Sequence, residues 1–82
     1  MSEILVYSKP DCPYCVKAKM LLRLRDTPYV ESVVGKDILR EDFVSLFPDV
    51  RSVPLIVIDG VKIGGYDQLV EWFDNRTQLL AG

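Results

Sequence analysis

The chain has 82 residues, enough for one domain with one core, and 49% of them are hydrophobic, which excludes a disordered tail. Its net charge of −2 and the lack of any basic run leave no electrostatic footprint for nucleic acid. No apolar stretch approaches the ~20 residues that span a bilayer, and no cationic segment precedes the first strand, so no secretory signal is read and a cytoplasmic location is expected.

Glu3 to Tyr7 is apolar almost throughout, which predicts a first strand at the centre of its sheet. Pro13 to about Leu24 is a predicted helix. Val16, Met20 and Leu24 recur every four positions with Leu21 beside them, and this stripe is expected to face the sheet. Lys17, Lys19 and Arg23 fall on other faces. Asp26-Thr27-Pro28 breaks the helix, because the residue before a proline is pushed out of the helical region. Tyr29 to Val34 predicts a second strand, ended by Gly35. Lys36 to Phe47 predicts a second helix with Ile38, Leu39, Phe43, Leu46 and Phe47 on its apolar side, closed by Pro48 and Asp49. Leu55 to Ile58 and Val61 to Ile63 flank Asp59-Gly60, which is a strong hairpin signal. Gly64-Gly65 then turns the chain into a last helix from about Asp67, with Leu69, Val70, Trp72 and Phe73 inward. The order β-α-β-α-β-β-α makes this an α/β chain: a small mixed sheet with helices on both faces. Its first crossover should be right-handed.

Both cysteines lie in Lys9-Pro10-Asp11-Cys12-Pro13-Tyr14-Cys15, at the seam between the first strand and the first helix. Pro13 suits the first helical position, where its missing N–H would have no intrahelical partner. The helix start presents unpaired N–H groups and a positive partial charge. A thiol held there loses its proton more easily, and the thiolate is the reactive form. Lys9 adds to that pull, whereas Asp11 opposes it and is expected to turn its carboxylate into solvent. Cys12 is therefore the candidate nucleophile and Cys15 its resolving partner. Three structural readings compete. A staple is weak, since closing so short a loop restrains the unfolded chain by only about 2 kcal/mol. Structural zinc needs four Cys or His ligands, and this chain has two Cys and no His. Inert buried thiols do not account for Pro13 and Tyr14 at a helix start. Redox chemistry is the reading these residues favour.

The same residues resemble a known family. Lys9 through Cys15 contains the Cys-Pro-Tyr-Cys signature of dithiol glutaredoxins, Ser52-Val53-Pro54 is similar to the family's Thr-Val-Pro, and Gly64-Gly65-Tyr66-Asp67 resembles the turn after its hairpin. Length and element order agree too, so the likeness covers essentially the whole chain. It implies a thioredoxin-like (glutaredoxin) fold with a four-stranded mixed sheet and a single glutaredoxin domain over 1–82. The implied activity is a glutathione-dependent thiol-disulfide oxidoreductase, with Cys12 and Cys15 as the catalytic pair. Its substrates would be protein–glutathione mixed disulfides and protein disulfides. The resemblance implies no metal and no tightly bound cofactor, with glutathione as co-substrate. Partners would be glutathionylated or disulfide-containing proteins, ribonucleotide reductase among them by family analogy, met by a monomer.

Glutathione carries two carboxylates and one ammonium on a backbone that can pair in extended form. The resemblance gives Lys9 the glycine carboxylate, with Arg51 and Arg40 as further candidates for that end. Val53 would precede a cis Pro54 and offer its backbone to the tripeptide as an added strand would. Gly65 would permit close approach, Tyr66 and Asp67 would offer helix-start amides to the γ-glutamyl carboxylate, and the Asp67 side chain would meet the ammonium. Tyr14 would be a groove wall. Each has a plainer alternative: a solvated lysine, a strand-entry proline, a simple turn at Gly64-Gly65, a helix cap at Asp67. Tyr66 departs from the family pattern, in which a small residue or Cys is common. Two other functions stay open. One is a glutaredoxin-like redoxin reduced by thioredoxin reductase. The other is a [2Fe–2S] carrier in which a dimer uses two Cys12 thiolates and two glutathiones, a role the resemblance links mainly to members lacking Pro13.

Overall fold

A computed structural model describes residues 2–81, with side chains for 2–75. The elements are β1 (Ile4–Ser8), α1 (Pro13–Leu24), β2 (Val30–Val33), α2 (Arg40–Leu46), β3 (Leu55–Ile58), β4 (Val61–Gly64) and α3 (Tyr66–Ala81). The sheet runs β2-β1-β3-β4, so β1 is central as its apolar run predicted. β1 pairs parallel with β2, Leu5 opposite Val30, and antiparallel with β3, Leu5 opposite Val57. β3 and β4 form the expected hairpin, with a register irregularity between Ile56 and Val57. Asp59 (φ 52°) and Gly60 (φ 81°) make its turn, which needs left-handed backbone at both positions. Among the described residues no helix is long and apolar enough to cross a membrane.

Alternation along β1 divides the core. Ile4 and Val6 point to one face, where they join Ala18, Leu22, Ile56, Ile58, Leu69 and Phe73 beneath α1 and α3. Tyr7 points to the other face, where it packs with Phe43 and Leu55 beneath α2. Its ring centroid lies 5.1 Å from that of Phe43 and 5.3 Å from that of Phe47. Helices on both faces of a mixed sheet are therefore present as predicted.

Three local expectations are corrected. The stripe Val16, Met20 and Leu24 does not face the sheet; α1 buries Cys15, Ala18 and Leu22 instead. Those three also recur at helical spacing, and two of them are small, so the helix axis can lie close to the strands. The second helix begins at Arg40 and not at Lys36. The Asp37 carboxylate accepts from the Val33 amide at 2.9 Å, and the amides of Lys36 and Asp37 both donate to the Val33 carbonyl. These local bonds hold 33–37 as a turn, a competition in which short polar side chains often prevail over a helix. Leu39 and Leu46 are consequently exposed, not inward. The last helix begins one residue early, at Tyr66, which makes Gly65 its cap.

The result for the site is simple. β1 ends at Ser8, so the cysteine segment leaves the C-terminal end of the central strand and starts α1 at once.

Candidate active site

Asp11 turns the chain with φ 56°, a left-handed conformation that Asp tolerates better than most residues. Cys12 follows in extended conformation and is the N-cap of α1, with Pro13 at the first helical position. Its sulfur occupies the place that a capping oxygen usually holds, and the Cys15 amide donates to it at 3.2 Å. A thiolate at Cys12 would receive this bond together with the helix-start field, both of which favour the anion. Here Cys12 and Cys15 are joined as a disulfide, Cα atoms 5.2 Å apart. Cys12 is 7% exposed and Cys15 only 1%, so an incoming disulfide can reach the first sulfur before the second.

The Val53-Pro54 peptide bond is cis. The Val53 carbonyl oxygen lies 3.8 Å from Cys12 Sγ. Val53 stands outside β3, and among the described residues its amide has no backbone partner. Two clefts meet at this residue. One, of about 370 Å³, gathers Lys9, Arg40 and Arg51 with Val34, Phe43 and Val53. The other, of about 230 Å³, gathers Tyr14, Val53, Pro54, Gly65, Tyr66 and Asp67. Lys9 also borders the cavity around Cys12 and Cys15. Of the residues read from the sequence, Lys9, Arg51 and Val53 thus share one cleft, and Tyr14, Val53, Pro54, Gly65, Tyr66 and Asp67 share the other.

The aromatic wall is built from Tyr14 and Tyr66, ring centroids 6.2 Å apart, with Lys17 Nζ 5.0 Å above the Tyr14 ring. Tyr14 is exposed, as a groove wall should be. At the Gly64-Gly65 turn, the Gln68 side-chain oxygen accepts from the Gly65 amide at 2.9 Å. That is the return bond of a capping box, made from the third helical position. Asp67 sits second in α3, so the cap reading of its side chain does not hold; Gln68 satisfies the turn instead.

Four residues around the site escaped the sequence reading: Gln68, Ser8, Glu31 and Lys19. Gln68 was detectable by its three-residue spacing from Gly65. Ser8, buried at the end of an apolar strand, donates to Glu31 at 2.6 Å. Lys19 completes the group at 2.9 Å from the same carboxylate and borders the cavity of the two cysteines. The Ser8 hydroxyl, and after it the Lys19 ammonium, hold the Glu31 carboxyl below its ordinary range. No local pattern joins residues this far apart in sequence; only the β1–β2 pairing does. Among the described residues, no group of three or more His, Cys, Asp or Glu could hold a metal ion.

The comparisons with known proteins agree with this geometry. The glutaredoxin family profile matches residues 4–63. Glutaredoxin 1 of Rickettsia felis is 36% identical over 73 residues, covering 87% of this chain and 72% of the relative. Glutaredoxin 1 of Francisella tularensis, solved with cacodylate, superimposes with a TM-score of 0.78 at 25% identity over 100% of both chains. The buckwheat glutaredoxin–glutathione complex superimposes with a TM-score of 0.74 at 26% identity, over 90% of this chain and 70% of that one. With a Cys-x-x-Cys pair at the start of α1, a cis proline against it and the four-stranded mixed sheet behind, this chain belongs to the glutaredoxin family of thiol-disulfide oxidoreductases.

Proposed function

We propose that this oxidoreductase is driven by glutathione and reduces both protein–glutathione mixed disulfides and protein disulfides. The observation that carries the reading is the meeting of two clefts of matching chemistry at Val53, whose carbonyl oxygen lies 3.8 Å from Cys12 Sγ. On one side stand the cations Lys9, Arg40 and Arg51, suited to the glycine carboxylate. On the other stand the amides that open α3 at Tyr66 and Asp67, suited to the γ-glutamyl carboxylate, with the Asp67 carboxylate for the ammonium. The Val53 backbone between them is free to pair with the tripeptide. The glutathione complex of the buckwheat relative supports the same reading.

In the first reaction the Cys12 thiolate attacks the glutathione sulfur of the mixed disulfide, and the protein thiolate leaves and takes up a proton. A glutathione thiolate then attacks the glutathione sulfur on Cys12, giving oxidised glutathione and the Cys12 thiolate again. With a protein disulfide, Cys12 forms the mixed disulfide and the Cys15 thiolate attacks Cys12 Sγ, releasing the reduced protein. The product is the internal disulfide present here, which two glutathiones reduce. A cytoplasmic setting, where glutathione keeps thiols reduced, suits this cycle.

The test is turnover with glutathione on a glutathionylated peptide and on a protein disulfide. Cys12→Ser is expected to abolish both reactions, because the other thiol, Cys15, is only 1% exposed and out of reach of an incoming disulfide. Cys15→Ser is expected to keep the first and lose the second. Turnover by Cys12→Ser, or equal loss of both reactions in Cys15→Ser, would overturn the roles. Full activity with thioredoxin reductase and none with glutathione would overturn the reductant.

A further inference from the structure

α1 carries two apolar stripes, and the fold uses only one of them. Cys15, Ala18 and Leu22 are buried against the sheet. Val16, Met20 and Leu24 lie roughly opposite, by the ~100° per residue of an α-helix, and they are 50%, 54% and 79% exposed. Single apolar residues on a surface need no explanation, whereas three in line form a continuous strip. This strip runs for about 12 Å along the helix. It begins one residue past Cys15, so a molecule seated on it is held beside the redox pair. Val16 borders the cavity of the two cysteines, and no residue of the strip lines either cleft assigned to glutathione.

Charge selects the occupant. Residues 13–24 include Lys17, Lys19 and Arg23 and no carboxylate, in a chain whose net charge is −2. By helical position Lys17 flanks one edge of the strip, and Lys19 and Arg23 flank the other. Lys19 is paired with Glu31, whereas Lys17, which lies over the Tyr14 ring, and Arg23, which acts on Glu31 only at longer range, are in no salt bridge among the described residues and can meet a partner's carboxylates.

We propose that the Val16–Met20–Leu24 strip docks an acidic amphipathic segment of the protein whose disulfide is presented to Cys12; the proposal rests on the redox reading above. The segment offers apolar side chains at helical spacing to the strip and carboxylates to Lys17 and Arg23. The strip is thus what distinguishes a protein client from a small disulfide.

Three synthetic peptides test this. Each bears one glutathionylated cysteine, a short Gly-Ser spacer and a helical segment. In the first, leucines four residues apart are set among glutamates. In the second the leucines are serines, and in the third the glutamates are lysines. The parent protein is expected to turn over the first with a kcat/KM about tenfold above the other two. Met20→Glu and Leu24→Gln are expected to bring the first peptide down to the level of the second. Turnover of a small glutathionylated cysteine compound should stay unchanged in both variants, and their circular dichroism should match the parent. Fluorescence anisotropy of the labelled acidic peptide with serine in place of its cysteine reads docking without any redox step. If glutathione is not the reductant, turnover fails throughout while this binding and its loss in Met20→Glu remain. Equal kcat/KM for the three peptides together with no anisotropy change would overturn the proposal. So would a strip that Met20→Glu shows to serve self-association, by sedimentation, or binding to anionic vesicles, in place of the peptide.

Discussion

Gly64→Ala places a Cβ where φ is 125° and where Gln68 Cγ and Oε1 stand at 2.7 and 2.9 Å. The conformation costs a non-glycine residue about 1–3 kcal/mol. Gln68 must also swing away, which breaks its bond to the Gly65 amide, an interaction of about 0.5–1.5 kcal/mol. The sum is about 1.5–4.5 kcal/mol, and in a domain of this size each kcal/mol moves the melting temperature by about 4–8 °C. A drop of roughly 6–36 °C is expected. Gly65 is different. A Cβ there would sit 3.4 Å from the Pro54 carbonyl oxygen and 3.7 Å from Gln68 Oε1, which is ordinary contact. Gly65→Val therefore should fold, and its added methyl groups can intrude on the cleft of Tyr14, Pro54 and Tyr66, which Gly65 lines. Melting within about 5 °C of the parent is expected, with KM for glutathione raised about tenfold or more, equivalent to 1.4 kcal/mol. Lys9→Gln removes one exposed charge contact of about 0.2–1 kcal/mol and should raise KM less than that. Thermal melts by circular dichroism and initial rates against glutathione concentration read the two effects separately. A parental melt for Gly64→Ala would refute the strain assigned to that turn. Parental use of glutathione by a well-folded Gly65→Val would make the double glycine a turn only, and the thioredoxin-reductase-linked reading would replace the present one.

Iodoacetamide is expected to alkylate one thiol of the reduced protein with a midpoint well below the ~8.5 of an ordinary cysteine, and Lys9→Gln should raise that midpoint only part of the way; a parental midpoint near 8.5 would remove the helix-start account. Glu31 is a carboxylate held below its usual range, so its stabilisation is present above the unfolded value of ~4.3 and is lost as pH falls through the lower folded value. Glu31→Gln, in a pair 23% and 31% exposed, should thus cost about 0.5–1 kcal/mol in urea unfolding at pH 7 and progressively less as pH falls below about 4.3, and a cost independent of pH would show that charge is not involved. Leu22→Ala should cost about 2–5 kcal/mol and Met20→Ala within about 0.5; the reverse order would mean that α1 packs on the stripe the sequence first suggested.

What the sequence made legible was whatever lies close together along the chain. The Asp59-Gly60 hairpin, the Pro13 helix start and the Cys-x-x-Cys seam each depend on a few neighbouring residues, and each is found in place. Tyr14, Val53, Pro54, Gly65, Tyr66 and Asp67 also meet in one cleft, although only the family resemblance, and no local pattern, joined them beforehand. The misreadings share one cause. α1 has apolar residues on two sides, and periodicity alone ranks the larger Val16, Met20 and Leu24 above Cys15, Ala18 and Leu22, whose small size is what permits close packing. Lys36 to Leu39 reads as helical until the Asp37 carboxylate is seen bound to the Val33 amide. The Ser8–Glu31–Lys19 group depends on strand pairing, which no single segment encodes.

The two faces of the sheet differ in how firmly they are tied. One carries α1 and α3 over eight buried residues, whereas the other carries only the seven residues of α2, which bury Phe43 and follow an N-cap, Leu39, that makes no side-chain capping bond. Local opening in a protein follows the amount of buried apolar contact, so α2 is expected to open more readily than α1. Arg40 travels with it, while Cys12 stays on the stiffer half. An opening of α2 would therefore shift the cationic wall at Arg40 while Cys12, at the start of α1, keeps its place.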